Sequence, residues 1–337
     1  MTVPPVPELC VPRVTVSIIN YRTADLTIAC VESVLADIAG DDARPAIDAE
    51  VVVIDNASGD GSAEAIEAWI AARPDAPVRL IRSPVNGGFA AGHNLGFSEA
   101  DAQGSDWVLV LNSDALLRPG ALGQLLGAAD RDSKTGLIAP ALEDMDGDRQ
   151  VSTFRFPTPL SELIRGAGSG PVTHFLRRWV VALPPESHSE AIEWASFACI
   201  LLRREMIESI GGLDAGYFLY FEDVEYCHRA LGAGWTLVTE PQSRVVHHRG
   251  GSAPVKALAA ARERLPRYYY ESRSRYYYQR GGFWYLWSAN TLWCLGRCIA
   301  QMRRLAGKSV PKAISKESID LWINSLSPLG IGKPSRD

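Results

Sequence analysis

The 337-residue sequence has few of the features that mark several large protein classes. Its six cysteines are scattered without any Cys-x-x-Cys spacing, which argues against a structural zinc site and suits a reducing cytoplasm. Three prolines interrupt the first seven residues and no apolar run follows a basic one, so we expect no secretory leader. With 47% hydrophobic and 22% charged residues, the chain is predicted to be globular rather than disordered.

The common phosphate-binding motifs are also missing. No G-x-x-x-x-G-K-[ST] loop occurs, and the glycine pair in Asn86-Gly87-Gly88-Phe89 lacks the G-x-G-x-x-G spacing of dinucleotide-binding folds. Because these motifs supply the backbone amides that bind phosphate, their absence weakens kinase, ATPase and dehydrogenase hypotheses.

Positive charge is scarce in most of the chain, whose net charge is −5. Residues 256–312 nevertheless hold 12 Lys or Arg and 2 Asp or Glu, a balance of +10. The remainder then has 22 basic and 37 acidic residues, a balance of −15. This asymmetry predicts a surface that meets an anionic partner, either a membrane or a nucleic acid.

What the sequence does contain is a regular alternation of strand and helix patterns. Four apolar runs are predicted strands, at Val14–Asn20, Glu50–Asp55, Val78–Arg82 and Trp107–Leu111. The helical patterns that follow them are Leu26–Ile38, Ala63–Ala72, Ala90–Ala100 and Ala121–Ala129. The alternation predicts an α/β fold with a mostly parallel central sheet flanked by helices. Later strands are predicted at Glu193–Leu202, Trp235–Val238 and Arg244–Val246.

Polar residues follow each of the four predicted strands. Ligands of open α/β sheets bind beyond the carboxyl ends of the strands, so these residues are candidates for a single binding site. They are Asn20, Tyr21 and Arg22 after the first strand, Asp55, Asn56 and Ser58 after the second, Asn86, Gly87 and Gly88 after the third, and Asn112, Ser113 and Asp114 after the fourth.

Asp114 follows an apolar strand, where burying a carboxylate without a partner would be unfavourable. At a strand end it can hold a divalent cation against a diphosphate, because Mg²⁺ and Mn²⁺ prefer oxygen ligands and often use only one or two carboxylates. The alternative is that Asp114 caps the helix that follows.

Glu222 and Asp223 lie in a segment rich in aromatic residues, which predicts partial desolvation of both carboxyl groups. Desolvation raises a carboxyl pKa and favours a general base. The alternative is a helix N-terminus, where acidic side chains offset the helix dipole. The two explanations are compatible.

His247 and His248 end another predicted strand, which would turn them to opposite faces. One can complete a metal site while the other packs or faces solvent. Arg249 and the two glycines after it could instead meet phosphate oxygens.

Taken together, these segments resemble glycosyltransferase family 2, the inverting enzymes with the GT-A fold. The resemblance covers Val14 to Ser252 and is carried by VSIINYR, VVVIDNASGDGS, NGGFAAGHNLG, WVLVLNSDALL, GGLDAGYFLYFEDVEYCHR and VVHHRGGS. It implies a nucleotide-sugar donor and a bound Mg²⁺ or Mn²⁺. The roles that it implies are a catalytic base for Asp223 within the Glu222-Asp223 motif, a metal contact for Asp114 and for His247 or His248, base binding for Asp55 and the Asn20 region, and a place near the nucleotide sugar for Asn86 and Asn94.

Two departures from the family pattern concern the site. Asn112 stands where many relatives carry the first acid of a DxD motif, which removes one anionic ligand. Phe197 stands where relatives usually have glycine and would reshape an acceptor pocket, whose other expected residues are Trp194 and Tyr220. The Q-x-x-R-W motif of processive relatives is missing, which indicates transfer of one sugar per encounter.

The amino-acid sequences of the segments NGGFAAGHN and FLYFEDVEYCHR are most similar to those of the rhamnosyltransferase branch of the family. The resemblance therefore implies a dTDP-L-rhamnose donor and a polyprenyl-linked or cell-surface glycan acceptor, handled in the cytoplasm at the inner face of the cell membrane. Two other classes stay open, namely an inactive nucleotide-sugar-binding protein and a nucleotidyltransferase.

The basic segment after the resemblance is also rich in Tyr and Trp. Its apolar part, Phe283 to Leu295, is shorter than the roughly 20 residues that a membrane span needs. The pattern fits a helix lying among lipid headgroups, or equally helices whose aromatic residues pack on the catalytic domain. Nucleic acid is not expected, since the acidic body would repel it. We expect a catalytic domain at 1–252 (nucleotide-sugar half 14–140, acceptor half 141–252), a helical extension at 253–326 and a disordered tail at 327–337.

Overall fold

The computed structural model describes residues 12–40, 44–129, 131–185, 187, 191–248 and 255–330. Its strands are β1 Val14–Asn20, β2 Ala49–Asp55, β3 Val78–Arg82, β4 Trp107–Asn112, β5 Ala115–Leu117, β6 Thr135–Glu143, β7 Thr153–Phe154, β8 Trp194–Ala195, β9 Cys199–Arg203 and β10 Thr236–His247. Eight of them form one sheet in the order β3-β2-β1-β4-β9-β6-β10-β5, and β7 pairs with β8.

Parallel pairing dominates the half of the sheet that carries the predicted strand-end residues. β1 lies between β2 and β4 and is parallel to both, and β2 is parallel to β3. The register places Asn20 opposite Asp55, and Ile19 opposite Asn112. β9 is antiparallel to β4 and β6, so the sheet as a whole is mixed. The mostly parallel sheet flanked by helices is confirmed.

Helices cover both faces of this sheet. They are α1 Ala24–Ile38, α2 Ser62–Ala71, α3 Gly88–Gln103, α4 Ala121–Ala129, α7 Arg204–Ile210 and α8 Glu222–Gly232. Two more helices, α5 Pro159–Ala167 and α6 Gly170–Phe175, lie between β7 and β8 along the chain. Alternate residues of β4 serve the two faces, since Leu109 and Leu111 pack with α1, α2 and α4, whereas Val108 and Val110 pack with α3, α7 and α8. A strand buried on both faces is apolar throughout, which explains the uninterrupted run VLVL.

Two predicted strands differ from the structure. The run from Glu193 to Leu202 is divided into β8 and β9 by the residues around Phe197, which turn towards the strand ends. The separate strands predicted on either side of Pro241 are instead one strand, β10. Its register against β6 shifts between Glu240 and Arg244, because proline has no N–H to donate to the ladder.

The C-terminal extension contains α9 Val255–Ala261, α10 Arg267–Leu305 and α11 Glu317–Asp320. α10 breaks at Gly281 and Gly282, where the φ of Gly282 is +70°, a conformation that favours glycine. The chain reverses there, as the hydrogen bond from Arg273 Nη1 to Asn290 Oδ1 at 2.7 Å shows. Residues 17 apart on a straight helix would be separated by about 25 Å. We call residues 267–280 the first arm and 283–305 the second arm of this helical hairpin.

The hairpin packs on α5, at a contact that requires small residues. A methyl group on Gly166 of α5 or on Gly296 of the second arm would collide with the backbone of the other helix. Tyr270, Tyr276 and Trp293 are buried between these elements. The first arm therefore follows the packing alternative of the sequence analysis. Within the described ranges, each helix is too short or too polar to span a bilayer. Residues 331–337 of the expected disordered tail lie outside the described residues, whereas 327–330 are described.

A buried ionic cluster joins α5, the hairpin and α11. Glu162 of α5 is paired with Arg273 at 3.0 Å and with Arg165 at 2.6 Å, and Tyr277 donates a hydrogen bond to it at 3.1 Å. Arg165 also pairs with Glu317, the first residue of α11. Burial alone would raise the pKa of Glu162, but the guanidinium groups of Arg165 and Arg273 overcome this effect and hold the pKa at about 2.

Replacing Glu162 with Gln is expected to destabilise the protein by about 3–5 kcal/mol, because the buried guanidinium group of Arg273 loses its counter-charge. Urea unfolding at neutral pH measures the change. Glu64→Gln is the matched control, since Glu64 pairs with Arg82 at the exposed surface and should change stability little. Equal effects of the two variants would show that the cluster does not hold the extension.

Candidate active site

A cavity of about 600 Å³ lies at the carboxyl ends of the parallel strands. It is bordered by the ends of β1, β4 and β10, by the turn before α3, by the start of α8 and by the first arm of the hairpin. The predicted site residues that line it are Tyr21, Asn56, Asn86, Gly88, Asn112, Ser113, Asp114, Phe197, Tyr220, Glu222, Asp223 and His247. The structure thus brings together most of the residues singled out in the sequence.

Asn20 organises the floor beside this cavity. Its amide Nδ2 lies 2.7 Å from Asp55 Oδ1, 3.1 Å from Ser58 Oγ and 2.9 Å from Ser62 Oγ, and it can donate to these acceptors. Arg22 Nε donates to the Ser58 carbonyl at 3.0 Å. Asn20, Asp55 and Ser58 are buried and do not line the cavity, so their contacts fix the loops on which Tyr21 and Asn56 stand.

The turn before α3 is held by amide side chains. Asn56 Nδ2 donates to Asn86 Oδ1 and to the Gly88 backbone carbonyl, each at 3.0 Å. The side-chain Oδ1 of Asn56 accepts a hydrogen bond from the backbone N–H of Gly87 at 3.2 Å. Gly88 has a φ of +81°, and a Cβ there would collide with the backbone of Phe218. Gly88 therefore allows the turn to pack against the loop that leads to α8.

Three predicted residues point elsewhere. Asn94 makes a reciprocal pair of 2.8 Å hydrogen bonds with the backbone of Leu213, which ties α3 to the loop before α8. Trp194 stacks on Phe154 at 4.1 Å between ring centroids and donates to a backbone carbonyl. The side chain of His248 does not line the cavity, and its backbone N–H donates to the Asp114 carbonyl at 2.9 Å.

Asp114 and His247 meet in the lining of the cavity. β5 follows Asp114 directly and pairs with β10, so that His247 Nε2 lies 3.5 Å from Asp114 Oδ1. Both side chains are buried. The alternative that Asp114 caps α4 is not supported, because the Asp37 carboxylate accepts from the backbone N–H groups of Gly120 and Leu122 at the start of that helix.

This pair suits a divalent cation. A carboxylate oxygen and an imidazole nitrogen are ligands that Mn²⁺ accepts, and phosphate oxygens commonly supply the remaining positions. Among the described residues, no group of three or more His, Cys, Asp or Glu side chains forms a closed metal cage. Asp114 and His247 therefore fit a site that shares its metal with a phosphate-bearing ligand.

Glu222 and Asp223 begin α8 and border the same cavity. The two residues before them, Tyr220 and Phe221, both have positive φ, an uncommon conformation that aims the helix start into the cavity. Burial raises the pKa of Glu222 well above its usual range, and the charge of Asp223 raises it further.

The pKa of Asp223 is also displaced. Burial raises this pKa, whereas the backbone N–H groups of Val224 and Phe197 and the Lys256 ammonium limit the rise. The resulting pKa of Asp223 is about 6. A carboxyl group with this pKa is ionised at neutral pH yet basic enough to accept a proton. The geometry combines the two explanations given for the motif, a helix start and a desolvated carboxyl pair.

Sequence reasoning missed several residues of the cavity wall, and those with polar side chains include His93, Lys256 and Tyr268. His93 is buried in α3, and Ser17 Oγ lies 2.8 Å from its Nδ1. Burial lowers the pKa of His93 to about 3, so the ring is neutral. Its position within the segment NGGFAAGHNLG was the available signal. Tyr268 belongs to a Tyr triplet that had been attributed to the membrane or to the core.

The amino-acid sequence of the chain is similar to those of known glycosyltransferases. Residues 15–175 match the family model described as glycosyl transferase family 2. The chain is 34% identical over 226 residues to the N-acetylglucosaminyl-diphospho-decaprenol L-rhamnosyltransferase of Mycobacterium tuberculosis (strain CDC 1551 / Oshkosh), across 62% of this chain and 71% of that one. It is 32% identical over 203 residues to the pre-mycofactocin glycosyltransferase of the same strain, across 59% and 37% of the two chains.

A solved structure also shares the fold of this chain. The mannosyltransferase PcManGT from Pyrobaculum calidifontis, in complex with GDP-Man and Mn²⁺, has a TM-score of 0.53 at 18% identity and covers 94% of this chain and 87% of its own. At this identity the likeness concerns the fold alone. The GT-A fold predicted from the sequence is confirmed.

The raised pKa of Asp223 predicts a pH-dependent stability. The pKa of an aspartate in the unfolded chain is near 3.8. Between about pH 4 and about pH 6, the Asp223 carboxyl group therefore holds its proton in the folded protein but has lost it in the unfolded chain. This contribution to stability is full below about pH 4 and is lost as the pH rises through about 6.

Asp223→Asn cannot ionise, so it should gain stability relative to the wild type on going from about pH 4 to about pH 7.5, by on the order of 1–3 kcal/mol. Urea unfolding of both proteins at the two pH values measures the difference. A stability difference that is the same at both values would mean that the Asp223 pKa is not raised.

Proposed function

The chain belongs to glycosyltransferase family 2, and we propose that it transfers one rhamnosyl residue from dTDP-L-rhamnose to a hydroxyl group of a polyprenyl-linked glycan acceptor. The observation that carries the reaction type is the cavity itself, which is lined both by the carboxyl group of Asp223 and by the pair Asp114 and His247. The choice of sugar and acceptor class rests on the likeness to the mycobacterial L-rhamnosyltransferase.

In this proposal the donor lies along the strand ends. The base and ribose occupy the side bordered by Tyr21 and Asn56, and the diphosphate lies against Asp114 and His247. A Mg²⁺ or Mn²⁺ ion bound by Asp114 and His247 would supply positive charge for the leaving diphosphate. Lys256, the only Lys or Arg among the described residues that line the cavity, lies near Asp223 and favours its ionised form.

Asp223 acts on the acceptor. It removes the proton from the attacking hydroxyl group while that oxygen bonds to the anomeric carbon from the face opposite the diphosphate. The bond between the anomeric carbon and the diphosphate breaks in the same step, so the configuration inverts and no covalent enzyme intermediate is needed. Burial and the charge of Asp223 raise the pKa of Glu222, which favours its neutral form beside Asp223.

The acceptor enters on the side of Phe197 and Tyr220, which line the cavity, with Trp194 behind them. Aromatic surfaces of this kind suit the apolar faces of sugar rings. A polyprenyl-linked acceptor is anchored in a bilayer, so we propose that the protein works at the cytoplasmic face of the membrane and contacts it peripherally through its C-terminal region.

Asp223→Asn is expected to lower transfer by at least about 10²–10⁴-fold, the usual contribution of a general base, while donor binding persists. The assay follows dTDP release and product formation from dTDP-L-rhamnose with a short-chain polyprenyl-linked acceptor, and calorimetry follows donor binding. Asp146→Asn, at an exposed turn, is the matched control and should transfer normally. Near-normal transfer by Asp223→Asn would remove Asp223 as the base.

The two histidines should differ in their effect on metal dependence. His247→Ala is expected to raise the Mn²⁺ concentration for half-maximal activity by at least about tenfold, because it removes one of two protein ligands. His248→Ala should leave it nearly unchanged, since only its backbone contacts Asp114. A larger effect of His248→Ala would assign the ligand to the other histidine.

A further inference from the structure

The second arm of the helical hairpin turns an uncharged face to solvent. Trp284, Leu295, Met302 and Leu305 are 79%, 49%, 61% and 89% exposed. Their spacing places them on one side of the helix, within about 100° of arc at 3.6 residues per turn. The exposed residues that complete this side are Ser288, Thr291 and Cys298. We call these seven residues the outer stripe.

The outer stripe is long for a surface feature. It extends over 21 helical steps, or about 30 Å at 1.5 Å per residue. Its four large apolar side chains are separated only by the small uncharged residues Ser288, Thr291 and Cys298. Exposed apolar surface concentrated on one face in this way often marks a site of interaction. The opposite side of the same arm carries Leu286, Trp293 and Ala300, which are buried against α5 and the first arm. Burial of that side explains the arm's position, whereas the four large apolar side chains of the outer stripe stay exposed among the described residues.

Basic residues are concentrated in the second arm and in the segment that follows it. Residues 284–316 contain no Asp or Glu and six basic residues, namely Arg297, Arg303, Arg304, Lys308, Lys312 and Lys316. Arg304, Lys308, Lys312 and Lys316 are exposed, whereas Arg297 and Arg303 donate to the carbonyl groups of Gly166 and Gly168 on the side that packs on α5. The basic balance found in the sequence is therefore concentrated in the part of the chain that carries the outer stripe.

We propose that the outer stripe, together with the exposed basic residues at the end of the second arm and after it, binds the surface of an anionic lipid bilayer, with the second arm lying in the headgroup region. A helix that exposes apolar side chains near several Lys and Arg residues and no acidic residue is suited to that position. A second copy of this chain is a poorer occupant, because pairing two such faces would bring together two sets of six positive charges. The inference rests on the proposed function in that a lipid-linked acceptor presents its sugar at this surface.

The hairpin also relates the bilayer to the cavity. Tyr268 of the first arm lines the cavity, and it packs in the same aromatic cluster as Trp293 and Cys294 of the second arm. Packed helices lie about 8–10 Å apart. A single helix layer therefore separates the acceptor side of the cavity from the proposed membrane face, a distance that the diphosphate and first sugar of a lipid-linked acceptor can bridge.

Co-sedimentation of the full chain with vesicles tests this proposal. We expect binding to phosphatidylcholine vesicles that contain phosphatidylglycerol, and much weaker binding to phosphatidylcholine alone or at high salt. Met302→Glu should weaken binding to the anionic vesicles by at least about tenfold, because a carboxylate enters the apolar face. Met145→Glu is the matched control, since Met145 is 60% exposed in the turn after β6 and lies outside the stripe.

A second variant acts through charge alone. Arg304→Gln combined with Lys308→Gln should weaken binding to the anionic vesicles and leave thermal stability unchanged, because both residues are exposed. The proposal is overturned if the wild type ignores anionic vesicles, if Met302→Glu binds them as the wild type does, or if Met302→Glu converts a dimer to a monomer without affecting vesicle binding.

Transfer to a water-soluble acceptor analogue separates this proposal from the proposed function. Met302→Glu should lose vesicle binding and keep transfer to the soluble analogue. Vesicle binding by a wild type that transfers no rhamnose would refute the proposed donor or acceptor and leave the membrane face standing.

Discussion

The parallel register of β1 between β2 and β4 is the constraint on which the site depends. It sets Asn20 beside Asp55 and brings the residues after β4 to the same edge of the sheet. Because strand side chains alternate with a period of two, a slip of one residue would turn Asn20 and Asp55 to the opposite faces. Such a slip would break the hydrogen bonds of Asn20 with Asp55, Ser58 and Ser62, so the polar strand ends help to fix the register of the apolar strands. The buried carboxylate of Asp114 is tolerated because β10 brings His247 to it.

Local sequence carried much of this arrangement. Short apolar runs followed by Asn or Asp predicted the strands and the edge at which the cavity lies, and the acids among aromatic residues predicted a carboxyl pair with raised pKa values. Long-range pairing was beyond local patterns. The choice of His247 over His248 depends on the pairing of β10 with β5, and the burial of His93 depends on its contact with Ser17 of β1. The capping of α4 by Asp37 likewise joins residues 83 and 85 positions apart.

The packing of the C-terminal region likewise could not be predicted from local sequence. Its composition fitted both a membrane-bound helix and a packed helix, and composition cannot reveal that the chain reverses at Gly281 and Gly282. The reversal separates the two properties, because the first arm buries its tyrosines against the catalytic body whereas the second arm turns an uncharged face outward. The ionic cluster around Glu162 and the close contact of Gly166 with Gly296 fix the hairpin to α5, so the wall of the cavity and the proposed membrane face belong to one packed unit.

The central claim is a single displacement in which Asp223 activates the acceptor and the diphosphate leaves from the opposite face of the sugar. The most direct test is the anomeric configuration of the transferred sugar, determined by nuclear magnetic resonance on the product formed from dTDP-L-rhamnose. The account predicts a configuration inverted relative to that of the donor. A product that retains the donor configuration would contradict it, because retention requires either a covalent intermediate or attack from the face of the leaving group.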